Sequence, residues 1–182
     1  VERTQTVTIF FQQTAGIVLV EVFPLQQYVR PALVHGLHEG FEKGESRLQA
    51  CRDVLRRYPA INLIHRPTPW TYELAYSSLR ETLREITAPL DGIFGLSDSL
   101  ALAGRDAAWA AGLATDQTVI VGINGDLLAL AAIAEGTITA TVETPAAELG
   151  YQLIDLACQA AAGAPLPAHF SYKPRLVTRA NV

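Results

Sequence analysis

The sequence predicts an α/β fold in which helices cover a doubly wound parallel sheet. Short apolar runs rich in β-branched residues alternate with longer amphipathic stretches, and this alternation repeats five times along the chain. Continuous apolar runs of this kind are typical of strands buried on both faces of a parallel sheet. The alternation also favours right-handed crossovers between neighbouring strands. With 182 residues, 49% of them hydrophobic, the chain can bury a core of ordinary domain size.

The predicted strands are the short apolar runs. They are Val7–Phe11, Ala32–Leu37, Ile61–His65, Gly92–Leu96, Thr118–Ile123 and Ile138–Val142, with Arg175–Thr178 expected as a last edge strand. The segment Thr14–Tyr28 is open to two interpretations because of Pro24. It is either a kinked helix, or a strand at Gly16–Val22 followed by a turn.

The predicted helices are the stretches with apolar residues at helical spacing. They are Ser46–Tyr58, Thr71–Ile86, Ser99–Leu113, Asp126–Glu135 and Pro145–Ala162. Thr71 is suited to cap the second helix at its start. The last three helices are expected to end at glycines, namely Gly112, Gly136 and Gly163.

Composition excludes several classes of protein. The net charge of −4 argues against a surface that binds nucleic acid, and the apolar stretches are too short to span a bilayer. Cys51 and Cys158 lie too far apart for a disulfide scaffold or a zinc knuckle, and no other metal motif or cofactor is expected. The chain begins with Val and contains no Met, so we expect a processed chain or an excised segment.

Polar and aromatic side chains follow the predicted strands, where a parallel sheet forms its ligand crevice. The candidate ligand-binding residues are Arg47, Trp70, Ser97, Asp98, Asn124 and Glu143. An aromatic surface beside Asn, Arg and carboxylate groups suits a neutral polyhydroxyl ligand. Each residue also has a structural interpretation: helix capping for Asp98, a solvated charge for Arg47, and a cover for the sheet edge for Trp70.

A catalytic role is not expected. Gly95-Leu96-Ser97-Asp98-Ser99 resembles a nucleophile elbow, but Ser99 stands where the second glycine is required. None of the four histidines is a clear partner for Ser97. The segment from Gly122 to Asp126 lacks Lys and ends in a carboxylate, which argues against a phosphate site.

Several segments resemble motifs of type I periplasmic binding proteins and of lactose-repressor-type effector domains. Asp91–Gly104 is similar to DGIFaxND-x-x-ALG, Val119–Gly125 to vxVVGFDG, and Ala132–Val142 to aIxxGxixATV. Arg47–Leu55, Tyr58–Ile61 and Arg175–Val182 are similar to the RxxGFxxaL, yPgi and LVTxxNV segments. In this order the matches extend over most of the chain.

The resemblance implies a Rossmann-like lobe of a two-lobed protein, with a small ligand held between lobes that are joined by three hinge crossings. Residues 1–13 would be a remnant of the first lobe or a hinge strand, 14–143 the ligand-binding lobe, and 144–182 a crossing helix with a tail strand. By the same resemblance, Arg47 occupies a sugar-binding Arg position and Trp70 lies near an aromatic wall. Ser97, Asn124 and Glu143 replace the usual Asn, Asp and Gln.

The function implied is non-catalytic binding of a small polar ligand of the sugar class, with hinge closure as its output. The protein would be a solute receptor or an extracytoplasmic sensor with a transporter or signalling partner, located in the periplasm or outside the cell. The alternatives are the effector-binding domain of a cytoplasmic lactose-repressor-type regulator, and a structural lobe that has lost its ligand. Because the Pro145–Ala162 helix has an apolar side, we expect it to fold back on its own sheet or to pack on the missing first lobe or a second copy.

Overall fold

The computed structural model describes residues 6–12, 17–23, 30–35 and 42–182, with side chains from Ser46 onward. The strands are β1 (Thr6–Gln12), β2 (Ile17–Phe23), β3 (Arg30–His35), β4 (Ile61–Arg66), β5 (Gly92–Gly95), β6 (Val119–Asn124), β7 (Ala140–Glu143) and β8 (Arg175–Thr178). The helices are α1 (Glu42–Leu55), α2 (Tyr72–Thr82), α3 (Asp98–Ala110), α4 (Leu127–Glu135) and α5 (Ala146–Ala161), and a 3-10 turn at Leu83–Glu85 continues α2.

Six strands form one sheet in the order β4-β3-β5-β6-β7-β8. Strands β3 to β7 are parallel, and only β8 runs antiparallel to its neighbour. Because β4 and β5 lie on opposite sides of β3, the order of strands reverses between β3 and β5, which is where ligands bind in open α/β sheets. The predicted doubly wound parallel sheet and its last edge strand are confirmed.

The first two strands form a separate antiparallel hairpin. Residues Thr6 and Phe23 lie opposite each other at its open end. The open question at Thr14–Tyr28 is therefore answered in favour of a strand, Ile17–Phe23. The first apolar run does not join the parallel sheet, and the domain boundary expected at residue 14 falls between β1 and β2.

The core has two clusters of buried side chains. One lies between α2, α3 and α4 and includes Leu79, Ile93, Ile120 and Ile133. The other joins α1, α2 and α3 near the carboxyl ends of the strands, and consists of Leu48, Ala75, Leu96, Leu100 and Ala103. The second cluster gives the candidate site a rigid base.

Helix ends follow the predicted chemistry at most positions. Gly112, Gly136 and Gly163 have positive φ after α3, α4 and α5. At the start of α3 the cap is Ser97 and not Asp98 as the structural interpretation had suggested, because Asp98 is the first residue inside the helix. Thr71 occupies the N-cap position of α2, but its side chain makes no capping hydrogen bond.

The last helix departs from expectation. No residue of α5 is buried, and Tyr151 and Ile154 are 77% and 65% exposed. The prediction that this helix folds back on its own sheet is wrong, because its apolar side chains are not covered by the described part of the chain. No helix within the described ranges is long and apolar enough to cross a bilayer.

Candidate functional site

Four of the predicted site residues, Arg47, Trp70, Asn124 and Glu143, lie at the carboxyl edge of the parallel sheet, and Ser97 and Asp98 lie just beneath it. Trp70 follows β4, Ser97 follows β5, and Asn124 and Glu143 end β6 and β7. In the register of the sheet, Asn124 and Glu143 lie directly opposite each other. Arg47 on α1 reaches the same edge, because its Nη1 donates a hydrogen bond to the carbonyl of Leu96 after β5. The strand order therefore places the predicted residues along one edge, with Trp70 after β4 on one side and the pair Asn124 and Glu143 on β6 and β7 on the other.

Arg47 joins α1 to the edge of the sheet where the strand order reverses. Its guanidinium is partly buried, and this desolvation lowers its pKa, while the charges of Tyr172 and Asp98 act in the opposite direction. The group has five N–H donors, and the Leu96 carbonyl takes one of them. Arg47 is thus held in place with donors remaining for a ligand.

Trp70 is partly exposed and packs against the second core cluster, which includes Leu48, Leu96 and Leu100. Packing against this buried cluster restricts the orientation of the indole. An aromatic group held in this way can stack against the C–H face of a sugar. The position is compatible both with covering the sheet edge and with contacting a ligand.

Ser97 and Asp98 lie beneath the edge rather than on it. Ser97 is 2% exposed, and its Oγ accepts a hydrogen bond of 3.3 Å from the backbone N–H of Leu100, as a helix cap does. Its hydroxyl also lies 3.0 Å from the Oγ of Ser99. A buried capping hydroxyl of this kind is not arranged as a nucleophile.

Asp98 joins three elements from a fully buried position. Its Oδ2 accepts hydrogen bonds of 2.7 Å from the backbone N–H groups of Gly125 and Asp126, and its Oδ1 accepts one of 2.5 Å from the hydroxyl of Thr141. Burial raises the pKa of this carboxyl, and the three hydrogen bonds partly oppose that rise. The structure therefore favours a positioning role for Asp98 over the direct ligand contact that we expected.

The turn between β6 and α4 has an unusual backbone. Asn124 has φ of +133°, the only positive φ at a non-glycine residue in the described ranges, and Gly125 has φ of +83°. Positive φ at a residue other than glycine is strained and often marks a functional site. The backbone N–H groups of Gly125 and Asp126 donate to Asp98 and so hold this turn in place. The side chain of Asn124 therefore starts from a fixed backbone position at the carboxyl edge.

Glu143 is held on two sides. Arg175, at the start of β8, donates from Nε to Glu143 Oε2 at 2.6 Å. On the other side, a Cβ on Gly125 would lie 2.7 Å from the Cγ of Glu143, so only glycine leaves room for this side chain. The sequence analysis missed Arg175, Thr141 and Gly125 as site residues, because their roles depend on long-range pairing.

A second concave region lies at the opposite edge of the sheet. It is a cavity of about 370 Å³ whose lining includes Trp109, Asp116, Thr118 and Gly136. These residues lie at the amino end of β6 and at the carboxyl ends of α3 and α4. The cavity is therefore separate from the candidate site and offers a control surface for experiments.

Solved structures resemble this chain over about half of their own length. An ABC transporter periplasmic solute-binding protein from Actinobacillus succinogenes 130z with bound D-allose has a TM-score of 0.76 at 20% identity, covering 83% of this chain and 53% of that one. The periplasmic component of an ABC-type sugar transport system from Hahella chejuensis has a TM-score of 0.74 at 24% identity, covering 85% and 56%. A protein described as a periplasmic ribose ABC transporter from Conexibacter woesei has a TM-score of 0.72 at 23% identity. The match covers 86% of this chain and 53% of that one.

At these identities the structural likeness shows the fold, namely one lobe of a type I periplasmic binding protein. The comparison with curated proteins gives no significant match. The similar proteins are described as a periplasmic solute-binding protein and as a periplasmic component of a sugar transport system. None of these similar proteins favours the alternative of a repressor effector domain or a sensor.

Residues 38–165, more than half of the chain, match the family described as periplasmic binding protein domain. The chain belongs to the periplasmic binding protein domain family.

Proposed function

We propose that this chain is the sugar-binding lobe of a periplasmic solute-binding protein that serves an ABC transporter. The observation that carries the proposal is the placement of Arg47, Trp70, Asn124 and Glu143 along the carboxyl edge of one parallel sheet. The D-allose bound to the similar protein from Actinobacillus succinogenes supports a ligand of the sugar class.

The four residues provide the interactions that a neutral sugar requires. Trp70 offers a flat apolar surface to the ring, and Arg47 donates hydrogen bonds to hydroxyl or ring oxygens. The Asn124 amide both donates and accepts, and the Glu143 carboxylate accepts from hydroxyl groups. Ser97 and Asp98 act indirectly, because they hold the ends of β5 and β6 in place.

The ligand is enclosed when the rest of the protein closes over this edge. The chain covers 53% of the protein with bound D-allose, so a second lobe of comparable size is available in such proteins. The exposed apolar side of α5 packs against that first lobe, and the connection between β7 and α5 serves as a hinge. A second copy of this chain in place of the first lobe would appear as a stable dimer in light scattering.

Isothermal titration of the two-lobed protein tests this function. The panel consists of D-allose, D-ribose, D-glucose and D-galactose, and the double variant Trp70→Ala/Asn124→Ala is compared with wild type. We expect the double variant to lose on the order of 30-fold in affinity or more, from the stacking surface and one hydrogen bond. Trp109→Ala removes a half-exposed Trp at the opposite edge and should leave the affinity unchanged.

Two results would contradict the proposal. If wild type binds none of these sugars, the assignment of the sugar class is wrong. If the double variant binds as tightly as wild type, or if Trp109→Ala weakens binding more, the carboxyl edge is not the site.

A further inference from the structure

Three strand ends lie side by side at one end of the candidate site. In the sheet register Glu143 is opposite Asn124 on β6 and opposite Arg175 on β8. Because β8 is antiparallel, its first residue reaches the edge where β6 and β7 end. Arg175 is therefore brought to the site from a strand outside the parallel part of the sheet.

The Glu143 side chain has little freedom at this position. The bare Cα of Gly125 packs against its methylene groups, and the Nε of Arg175 binds its Oε2. The Glu143 side chain is 28% exposed, so it is neither fully buried nor free in solvent. Its second oxygen, Oε1, accepts no hydrogen bond from the side chains and backbone that the structure describes.

This arrangement has a chemical consequence for any ligand at the edge. An ionised carboxylate accepts hydrogen bonds and cannot donate them. The Nε of Arg175 occupies one of the two oxygens of Glu143, which leaves Oε1 for a donor group. A ligand hydroxyl satisfies that oxygen, whereas a ligand carboxylate beside it would be repelled.

We propose that Arg175 is a positioning residue that fixes Glu143 as an acceptor for a ligand hydroxyl, and that the Glu143 carboxylate held in this way selects neutral sugars over acidic ones. The inference rests on the proposed function and adds to it a determinant of specificity. Arg175 acts through Glu143, with no contact to the ligand required of it.

Titration of the two-lobed protein with matched sugars tests the proposal. The probes are D-glucose with D-glucuronate and D-galactose with D-galacturonate, and the variants are Arg175→Leu, Arg175→Lys and Glu143→Gln. Arg175→Leu should weaken the binding of the neutral sugar about tenfold, because Glu143 then has to be ordered by the ligand. Arg175→Lys keeps the positive charge and should recover part of this loss.

The variant Glu143→Gln tests directly whether Glu143 distinguishes neutral from acidic sugars. It leaves the Arg175 guanidinium without its partner carboxylate, so we expect the ratio of neutral to acidic sugar affinity to fall tenfold or more. A merely structural role of Glu143 would lower both affinities together and leave their ratio unchanged. Arg179→Leu, an exposed Arg near Gly136 at the opposite edge, is the control and should change neither affinity nor ratio.

The outcomes separate the two proposals. If wild type binds no neutral sugar, both the proposed function and this inference fail. If wild type binds a neutral sugar through Trp70 and Asn124, but Arg175→Leu and Glu143→Gln leave affinity and ratio unchanged, only the inference is overturned. Thermal unfolding of each variant shows whether it is folded. If Arg175→Leu does not fold, the neutral-sugar affinity of folded Arg175→Lys decides the case: an affinity below that of wild type supports the inference, and an equal affinity overturns it.

Discussion

Asp98 is the residue whose replacement should disturb the candidate site most without touching its surface. Asp98→Ala removes the acceptor of two backbone N–H groups and of the Thr141 hydroxyl, which is fully buried. A buried donor left without an acceptor costs about 1–3 kcal/mol. Loss of the buried charge offsets part of this cost, so we expect a net destabilisation of about 2–4 kcal/mol for three lost hydrogen bonds.

Asp98→Asn is the matched control because it can keep all three contacts. Its amide oxygen can accept from the N–H groups of Gly125 and Asp126, and its amide N–H can donate to the Thr141 hydroxyl. We therefore expect a change of about 1 kcal/mol or less in the free energy of unfolding at neutral pH. The difference between the two variants measures the hydrogen bonds separately from the charge.

The pH dependence of the same pair has a definite sign. Burial raises the pKa of Asp98 in the folded state, so the folded chain holds its proton at pH values where the unfolded chain has released it. The stability that wild type gains from the protonated carboxyl is complete below the ordinary aspartate pKa. This stability is lost as the pH rises through the raised pKa that Asp98 has in the folded state. Wild type should thus lose stability relative to Asp98→Asn over that window.

Urea unfolding followed by far-ultraviolet circular dichroism measures these differences across an acid-to-neutral pH series. A loss of less than about 0.5 kcal/mol in Asp98→Ala would refute the positioning role, since surface substitutions commonly fall in that range. A difference between wild type and Asp98→Asn that is flat with pH, or that favours wild type as pH rises, would refute the assigned cause of the pKa shift.

Three further predictions concern single positions. In denaturant unfolding, Gly125→Ala should destabilise the chain by about 2 kcal/mol more than Gly112→Ala. Gly125 and Gly112 both have positive φ, but only at Gly125 would an added Cβ collide with other atoms. Equal losses would show that no close packing exists there. Burial raises the pKa of Cys51 to about 12, so iodoacetamide at mildly alkaline pH should modify the exposed Cys158 first, as mass spectrometry would show; equal rates would contradict this. Gly150→Ala should raise the free energy of unfolding by about 0.5–1 kcal/mol, because the position is helical with open space around it, and a loss would contradict the assignment.

The sequence alone was sufficient for the parallel sheet and for the edge at which the site residues meet. β-branched runs such as Ile61–His65 indicate buried strands, and parallel strands necessarily place their carboxyl ends at one edge. This geometry predicted that Trp70, Ser97, Asn124 and Glu143 would lie together. That prediction did not require knowing which strands are neighbours in the sheet or in which register they pair.

Features that depend on pairing between distant residues could not be predicted. Nothing in the apolar run at β1 shows that it pairs with β2 in a separate hairpin instead of joining the parallel sheet. The contacts of Asp98 depend on Thr141, which is 43 residues away in the chain. Likewise, Arg175 pairs with Glu143 only in the register that β7 and β8 adopt. The spacing of apolar residues predicts single helices and strands, so it cannot predict contacts between distant parts of the chain.

A crystal structure of the two-lobed protein with the sugar that titrates most tightly would place the ligand directly. The sugar should stack on Trp70 and lie within hydrogen-bond distance of the side chains of Asn124 and Glu143, with Asp98 still bound to the turn before α4. A sugar bound beside Trp109 at the opposite edge, or one that leaves the carboxyl edge of the sheet uncontacted, would show that this lobe does not bind sugar as proposed.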